Sequence, residues 1–465
     1  MGWSSSRTTV AKQDWIVAMA DETKALAGFA ALLSFAEIPE AVVLRAKQCI
    51  ADTVAAMIFG ANLPWSRMVA GYALKSSANG RSMIVGAREN LVQPGAAALA
   101  MGTAAHAYEL DSLRRPGAGV HPGATLAPPA LAMAQHLGKS GEDVILAFVA
   151  GCEVLFRIGD ATRHSAESRG FHAPGLTGPL GAAVVAGKLL GLDAGRMTNA
   201  LGIAGSLASG LLEFANSGSG GMVKRLHLGR AAEGGVLAAT LAQDGFTGPA
   251  SVLEGHDGFL RAFCLESEPQ RLTLGLGQSW ETLKICLKRY PCHITAHTPI
   301  EAACAMSAEH GFAVEQIDSV VVKGSKKMAA LHNIPVPADL IMAQYSIPWC
   351  VAAALAGDPR NPASFSQQAF DDPRVAALSA RGSVQEGAPA SFSSWGAEVE
   401  VRLRDGTVLK QSCDDFPGTP ERPLSDDEFR DKFLALVGNR PAAKSYFQRL
   451  MGLESEQSLD WLGDY

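Results

Sequence analysis

Between residues 21 and 263 the chain repeats one pattern, helical periodicity with apolar positions filled largely by alanine and glycine. Such segments run over 21–60, 64–75, 94–107, 124–136, 141–158, 179–190, 193–209, 228–244 and 258–263. Small side chains let helix backbones approach closely, so the pattern predicts many tightly packed helices. With 48 glycines, 48% hydrophobic and only 18% charged residues, the composition excludes a disordered chain or a coiled coil. A length of 465 residues gives room for two or more domains with ample core.

Beyond about residue 280 the texture changes. Ile317-Asp-Ser-Val-Val-Val-Lys and Ala397-Glu-Val-Glu-Val-Arg-Leu-Arg cluster or alternate β-branched residues, and the second leads into Asp405-Gly406, a hairpin signal. Residues 298–310 and 343–355 read as helices, and 359–395, with scattered Pro, Gly and Ser, as loop-rich. Ser425 followed three positions later by Glu428 is a capping-box start for helical periodicity that runs to Leu450. The expected fold is therefore mainly α: a large all-helical domain over 1–278 with a leader at 1–20, a smaller α/β lid domain over 279–415, and a helical segment over 416–465 returning to the first domain.

A net charge of −6 argues against nucleic-acid binding, which calls for a basic face. The eight cysteines include no Cys-x-x-Cys pair and read as reduced, mostly buried thiols. The first residues lack the order of a signal peptide, and no apolar run reaches membrane-spanning length, so the expectation is a cytoplasmic protein without a membrane partner.

Chemistry concentrates in four stretches. The first is the polar loop His106-Ala-Tyr-Glu-Leu-Asp-Ser-Leu-Arg-Arg-Pro-Gly-Ala-Gly-Val-His-Pro-Gly123, set between two alanine-rich segments. Loops held by a rigid scaffold commonly carry catalytic groups. Arg169-Gly-Phe-His-Ala-Pro-Gly runs into a helix whose amides could face an anion. Met222-Val-Lys-Arg-Leu-His-Leu-Gly-Arg230 is a dense cationic patch. Leu287-Lys-Arg-Tyr-Pro-Cys-His-Ile-Thr-Ala-His297 falls at the expected domain boundary, a favourable place for a cleft. Singly, each has an ordinary structural reading. Glu109 and Asp111 could cap a helix or pair with Arg114 and Arg115, Lys224 and Arg225 could be a solvated face, and His227 and Tyr290 could be packing.

Together, these stretches and Asp244-Gly-Phe-Thr-Gly-Pro resemble the MmgE/PrpD family, over roughly residues 20 to 455. That family includes 2-methylcitrate dehydratase, cis-aconitate decarboxylase and iminodisuccinate epimerase. The resemblance implies an enzyme without metal or cofactor, homodimeric, with a large helical domain and a smaller lid. It assigns catalytic roles to His121, Lys224, Lys288 and His293, and the expected substrate-binding residues are Glu109, Asp111, Arg114, Arg115, His172, Arg225, His227 and Tyr290. The loop departs from the family's His-x-x-Asp-Phe-Asp-Asp-Thr, reading His106-Ala-Tyr-Glu-Leu-Asp-Ser-Leu113.

Such residues suit a small anionic substrate. Cations hold carboxylates, a histidine can take or give a proton near neutral pH, and a lysine beside the developing dianion stabilises it. The expected function is a lyase acting on a small di- or tricarboxylate by α-proton abstraction, first a 2-methylcitrate-dehydratase-like hydro-lyase. A cis-aconitate-type decarboxylase or an iminodisuccinate-type epimerase is the alternative. A non-catalytic metabolite-binding or structural helical protein is the alternative of another class.

Overall fold

The alanine- and glycine-rich segments form helices, numbered here in chain order: α1 (Glu22–Leu32), α2 (Glu40–Gly60), α3 (Pro64–Ser76), α4 (Pro94–Ala105), α5 (Pro122–Leu137), α6 (Gly141–Ala161), α7 (Ala173–Leu190), α8 (Ala194–Ser206), α9 (Val223–Gln243) and α10 (Phe259–Phe263). The computed structural model describes residues 21–464 apart from 78, 86, 216–220, 390, 439 and 440, so the leader expected over 1–20 lies outside the described residues. Helix α9 packs along α7 and α4, α5 lies against α4 and α7, and α6 backs α7. Glycine makes these crossings possible. A Cβ added to Gly229 on α9 would lie 2.3 Å from Thr103 Oγ1 and 2.4 Å from the Leu99 carbonyl oxygen on α4. One added to Gly235 would lie 2.5 Å from the Ala182 carbonyl carbon on α7.

Two departures correct the all-helical expectation. Strands β1 (Ser82–Ile84) and β2 (Ala87–Val92) form a hairpin, and β3 (Leu113–Arg114), inside the polar loop, pairs antiparallel with β4 (Ile285–Cys286). β1, β3 and β4, of two or three residues, are too short to leave an alternation to read in the sequence.

The second domain is a four-stranded sheet in the order β6-β5-β7-β8, built from β5 (Ile317–Gly324), β6 (Gly382–Glu386), β7 (Ala397–Leu403) and β8 (Val408–Cys413). β5 and β6 are parallel and the other pairs antiparallel. β7 turns into β8 through Asp405-Gly406, with Gly406 at φ 92 in the left-handed region that favours glycine. Strand β6 falls in the stretch read as loop-rich, because as a short edge strand it carries one buried β-branched residue, Val384. Helices α11 (His297–His310), α12 (Lys326–Leu331), α13 (Leu340–Ala343), α14 (Ile347–Ala356), α15 (Gln367–Phe370) and α16 (Pro373–Ser379) complete the domain. Ile300, Met306 and Trp349 share its core with Val320, Val322, Val399 and Val401. The segment read as one helix over 343–355 is broken at Gln344-Tyr345-Ser346, where Ser346 caps α14 by accepting from the Trp349 N–H.

The chain end packs on the first domain. Helices α17 (Asp426–Val437) and α18 (Pro441–Met451) lie on α2 and share the first core through Phe429, Phe433 and Tyr446. The Ser425–Glu428 capping box is formed. No described helix is long and apolar enough to cross a membrane.

Candidate active site

Three helices begin at a histidine. α5 starts at Pro122 and α7 at Ala173, earlier than their periodicity suggests, which makes His121 and His172 N-cap residues. His293 caps a short 3-10 turn, Ile294–Ala296, that leads into α11. In α5 and α7 the prolines at 122 and 174 occupy the first helical turn, where a missing N–H costs nothing, so Pro-Gly reads as a loop yet opens a helix. α9 likewise begins at Val223 and carries Lys224, Arg225 and His227 on its first two turns.

Two buried carboxylates organise the side chains. Asp111 bridges two histidines, with Oδ1 2.9 Å from His106 Nδ1 and Oδ2 2.7 Å from His121 Nδ1. A carboxylate accepts, so both rings donate from Nδ1, and in a neutral ring Nε2 is left as a lone-pair nitrogen. His121 keeps 8% of its surface exposed, while His106 has none. Glu109 bridges two lysines: it accepts from Lys288 Nζ at 2.9 Å and from Lys224 Nζ. Its backbone sits in the left-handed region at φ 57, at a cost of roughly 1 kcal/mol for a residue with a Cβ. The turn is closed by the His106–Asp111 contact at its two ends.

The second domain supplies the facing wall. His293 stacks on His332 with ring centroids 4.2 Å apart at 27°, and its Nδ1 lies 2.9 Å from Thr295 Oγ1. The Tyr345 ring lies beneath Lys224 Nζ at 4.7 Å and 5.1 Å from His293. Tyr108 donates its hydroxyl to the Phe365 carbonyl, 2.7 Å, and Gln344 donates to the Tyr108 carbonyl, 3.3 Å, so the polar loop itself joins the domains.

Burial and charge set the protonation states. Burial pushes His106 down to about 3 and His332 to about 4, and it holds His172 and His293 well below the usual imidazole value, with the nearby cations Lys224 and Lys288 adding to the effect. For Glu109 burial acts upward, but Lys224 and Lys288 overcome it and hold the carboxyl well below its ordinary range. Burial likewise opposes a charged Asp111, and the two histidines overcome it. Lys224 is lowered to about 8 by burial, which outweighs Glu109, whereas for Lys288 the attraction of Glu109 and Asp111 exceeds burial and raises it.

The sequence-derived residues divide. His121, Lys224, Lys288, His293, Glu109, Asp111 and His172 come together; His172 stands 6.2 Å from His106, ring to ring, and its Nδ1 is 3.1 Å from His227 Nδ1. Arg225 is fully buried with none of its three guanidinium nitrogens hydrogen-bonded among the described residues, lying over Trp65 at 5.8 Å. Three of the expected substrate-binding residues have side-chain partners within the protein. Arg114 is held by Glu281 at 2.9 Å and Asp160 at 3.4 Å, because β3 pairs with β4 and sets it beside the segment that precedes β4. Arg115 pairs with Asp415 at 2.5 Å, and the Tyr290 hydroxyl binds Glu301. His106, His332 and Tyr345 are added. The signal for Tyr345 was Ser346-Ile-Pro348, a cap followed by proline, which marks a helix start immediately after it.

Ligand atoms of His106, Asp111 and His121 lie within 4.8 Å of one another, close enough to hold a metal ion, a grouping that spacing along the chain does not reveal. In both histidines, however, the nitrogen nearest the carboxylate is engaged as a hydrogen-bond donor, which makes Asp111 an orienting group for two imidazoles.

The MmgE/PrpD N-terminal domain matches residues 24–272 and the MmgE/PrpD C-terminal domain residues 290–450. The chain is similar to cis-aconitate decarboxylase of Mus musculus, 28% identical over 89% of this chain and 86% of that one. It is 30% identical to cis-aconitate decarboxylase of Aspergillus terreus, over 90% and 89%. The cis-aconitate decarboxylase-like protein oryM of Aspergillus oryzae is 28% identical over 90% of both. With both domains matched in order along the chain, the protein belongs to the MmgE/PrpD family.

Proposed function

We propose that the protein is a lyase that decarboxylates a small unsaturated tricarboxylate of the cis-aconitate type through a carbanion. The observation that carries this reading is a surplus of buried positive charge beside an oriented histidine. Lys224 and Lys288 share the single carboxylate Glu109, and the buried Arg225 beside Lys224 has no hydrogen-bonded partner among the described residues, while His106, His172 and His293 are held neutral. Leaving a buried guanidinium unpaired is expensive, and an anionic substrate relieves it.

In the proposed reaction the bond to one carboxylate breaks and CO2 leaves. The electron pair moves through the adjacent double bond toward a remaining carboxylate, where the lysines meet the charge. The His121 imidazolium, stabilised by Asp111, gives its Nε2 proton to carbon and is reprotonated from solvent. The relatives named cis-aconitate decarboxylase support this choice within the family.

A second reading, a hydro-lyase of the 2-methylcitrate type, is favoured by one feature. In neutral His121 the Asp111 contact leaves Nε2 unprotonated and ready to remove an α-proton. The homodimer implied by the family resemblance belongs to this proposal as well, and sedimentation analysis tests it. Purified protein incubated with cis-aconitate, 2-methylcitrate and related di- and tricarboxylates, followed by mass spectrometry, separates loss of CO2 from loss of water. No change in any of them would overturn the enzyme reading.

A further inference from the structure

We infer that His332 is a positioning residue for His293 and Tyr345, and that the interdomain Lys327–Glu167 ion pair sets its place by holding helix α12. The inference takes from the proposed function only that His293 and Tyr345 face the substrate.

His332 is the C-cap of α12 and is 3% exposed. It is fixed by two bonds to the chain segment it serves. Its backbone carbonyl accepts from the Ile347 N–H at 3.0 Å, and its Nδ1 lies 3.0 Å from the Tyr345 carbonyl. A carbonyl only accepts, so Nδ1 carries the proton, and this defines the ring's tautomer and plane. The two bonds clasp Tyr345 and Ser346, the break between α13 and α14 that brings the Tyr345 ring under Lys224. The plane fixed in this way is the one on which His293 stacks at 4.2 Å. One side chain therefore orients both residues of the second domain that line the site.

The other end of α12 reaches the first domain. Lys327, in its first turn, places Nζ 2.8 Å from Glu167 Oε2. Glu167 also faces His164 Nε2 at an ion-pair distance of 3.1 Å, though without hydrogen-bond alignment. His164 and the preceding Arg163 are both in the left-handed region, at φ 59 and 52. For residues with a Cβ that conformation is disfavoured and persists only where surroundings impose it. His164 lies against Gly119, two residues before His121. Helix α12 has only six residues and its first turn is capped by Ser325, so the ion pair and the stack lie at the two ends of one short element. The pair at its start and the stack at its end are thereby linked.

Two measurements test this, the first without substrate. In the ligand-free protein, 13C-histidine NMR of Lys327→Ala should show the His332 and His293 ring signals displaced, with the exposed His256 unchanged as a control. Unmoved His332 and His293 signals overturn the link, whatever the reaction turns out to be. In kinetics, His332→Ala should lower kcat about tenfold with KM within about twofold, and His332→Phe, which keeps an aromatic face for His293 but lacks the Nδ1–H that fixes its plane, should recover only part of the loss. Lys327→Ala should lower kcat in the wild-type background and have less than about a twofold effect in His332→Ala, the non-additivity expected of residues acting through one another. Equal effects in both backgrounds, or an unchanged kcat in His332→Ala, overturn the positioning role. If wild-type protein turns over none of the acids, the function reading fails and the NMR arm alone decides this one.

Discussion

Glu109 and Asp111 divide the work of one turn of chain: the first gathers two ammonium groups and the second orients two imidazoles. His121 alone combines the Asp111 contact with a catalytic assignment and residual exposure, so His121→Ala is predicted to lower kcat by roughly 10²-fold or more with little change in KM, the scale for loss of a general acid or base. Steady-state kinetics on whichever acid is turned over checks it, and a large rise in KM with kcat intact would make His121 a binding residue instead. Lys224 yields a prediction with a definite sign. Burial lowers its pKa to about 8, so the ammonium is intact below that value and is lost as pH rises through it. Affinity for an anionic substrate should fall along the same limb. Lys224→Arg, which keeps its charge at any such pH, should move the limb upward or abolish it in a kcat/KM profile. A limb at the same pH in both proteins would assign it to another group.

At the scale of elements, glycine sets the helix spacing, and the crossing of α4 and α9 is the place to test it. Gly229→Ala drives a Cβ into Thr103 Oγ1 and the Leu99 carbonyl, backbone that cannot yield cheaply. It should destabilise the protein by about 1–3 kcal/mol in denaturant unfolding. An unchanged midpoint would mean that the helices part without cost. This packing was legible in the sequence because small residues at helical spacing have one dominant use. The site was legible where charged residues cluster along the chain, as at Lys224-Arg225 and Lys288. Other parts were hidden for physical reasons. Helix starts at Pro122 and Ala173-Pro174 resemble loops, since proline followed closely by glycine marks a turn as readily as a first helical turn. The ion pairs of Arg114 with Glu281 and of Arg115 with Asp415 were hidden, because the two-residue strand pairing that brings them about has no periodic signal. His332 and Tyr345 are 39 or more residues beyond the nearest assigned residue, His293, and only tertiary stacking joins them.

At the scale of the molecule, the candidate site is assembled from both domains, and the chain crosses between them where β4 pairs with the polar loop. The Arg115 N–H donates to the Lys284 carbonyl and the Leu287 N–H to the Gly418 carbonyl, so movement of one domain is felt directly by the loop. If the second domain closes on substrate, hydrogen exchange over residues 284–290 should slow with saturating ligand. Exchange unchanged by ligand would describe a rigid pair of domains. The central claim is that the residues gathered on Glu109 and Asp111 generate a carbanion from a small polycarboxylate and protonate it. Its most direct test is to incubate the protein with cis-aconitate in D2O and follow CO2 and product by mass spectrometry. The account predicts one CO2 released for each product molecule, one deuterium incorporated at a single carbon, and loss of both in His121→Ala. Release of CO2 at the wild-type rate by His121→Ala, with the deuterium still incorporated, would contradict it.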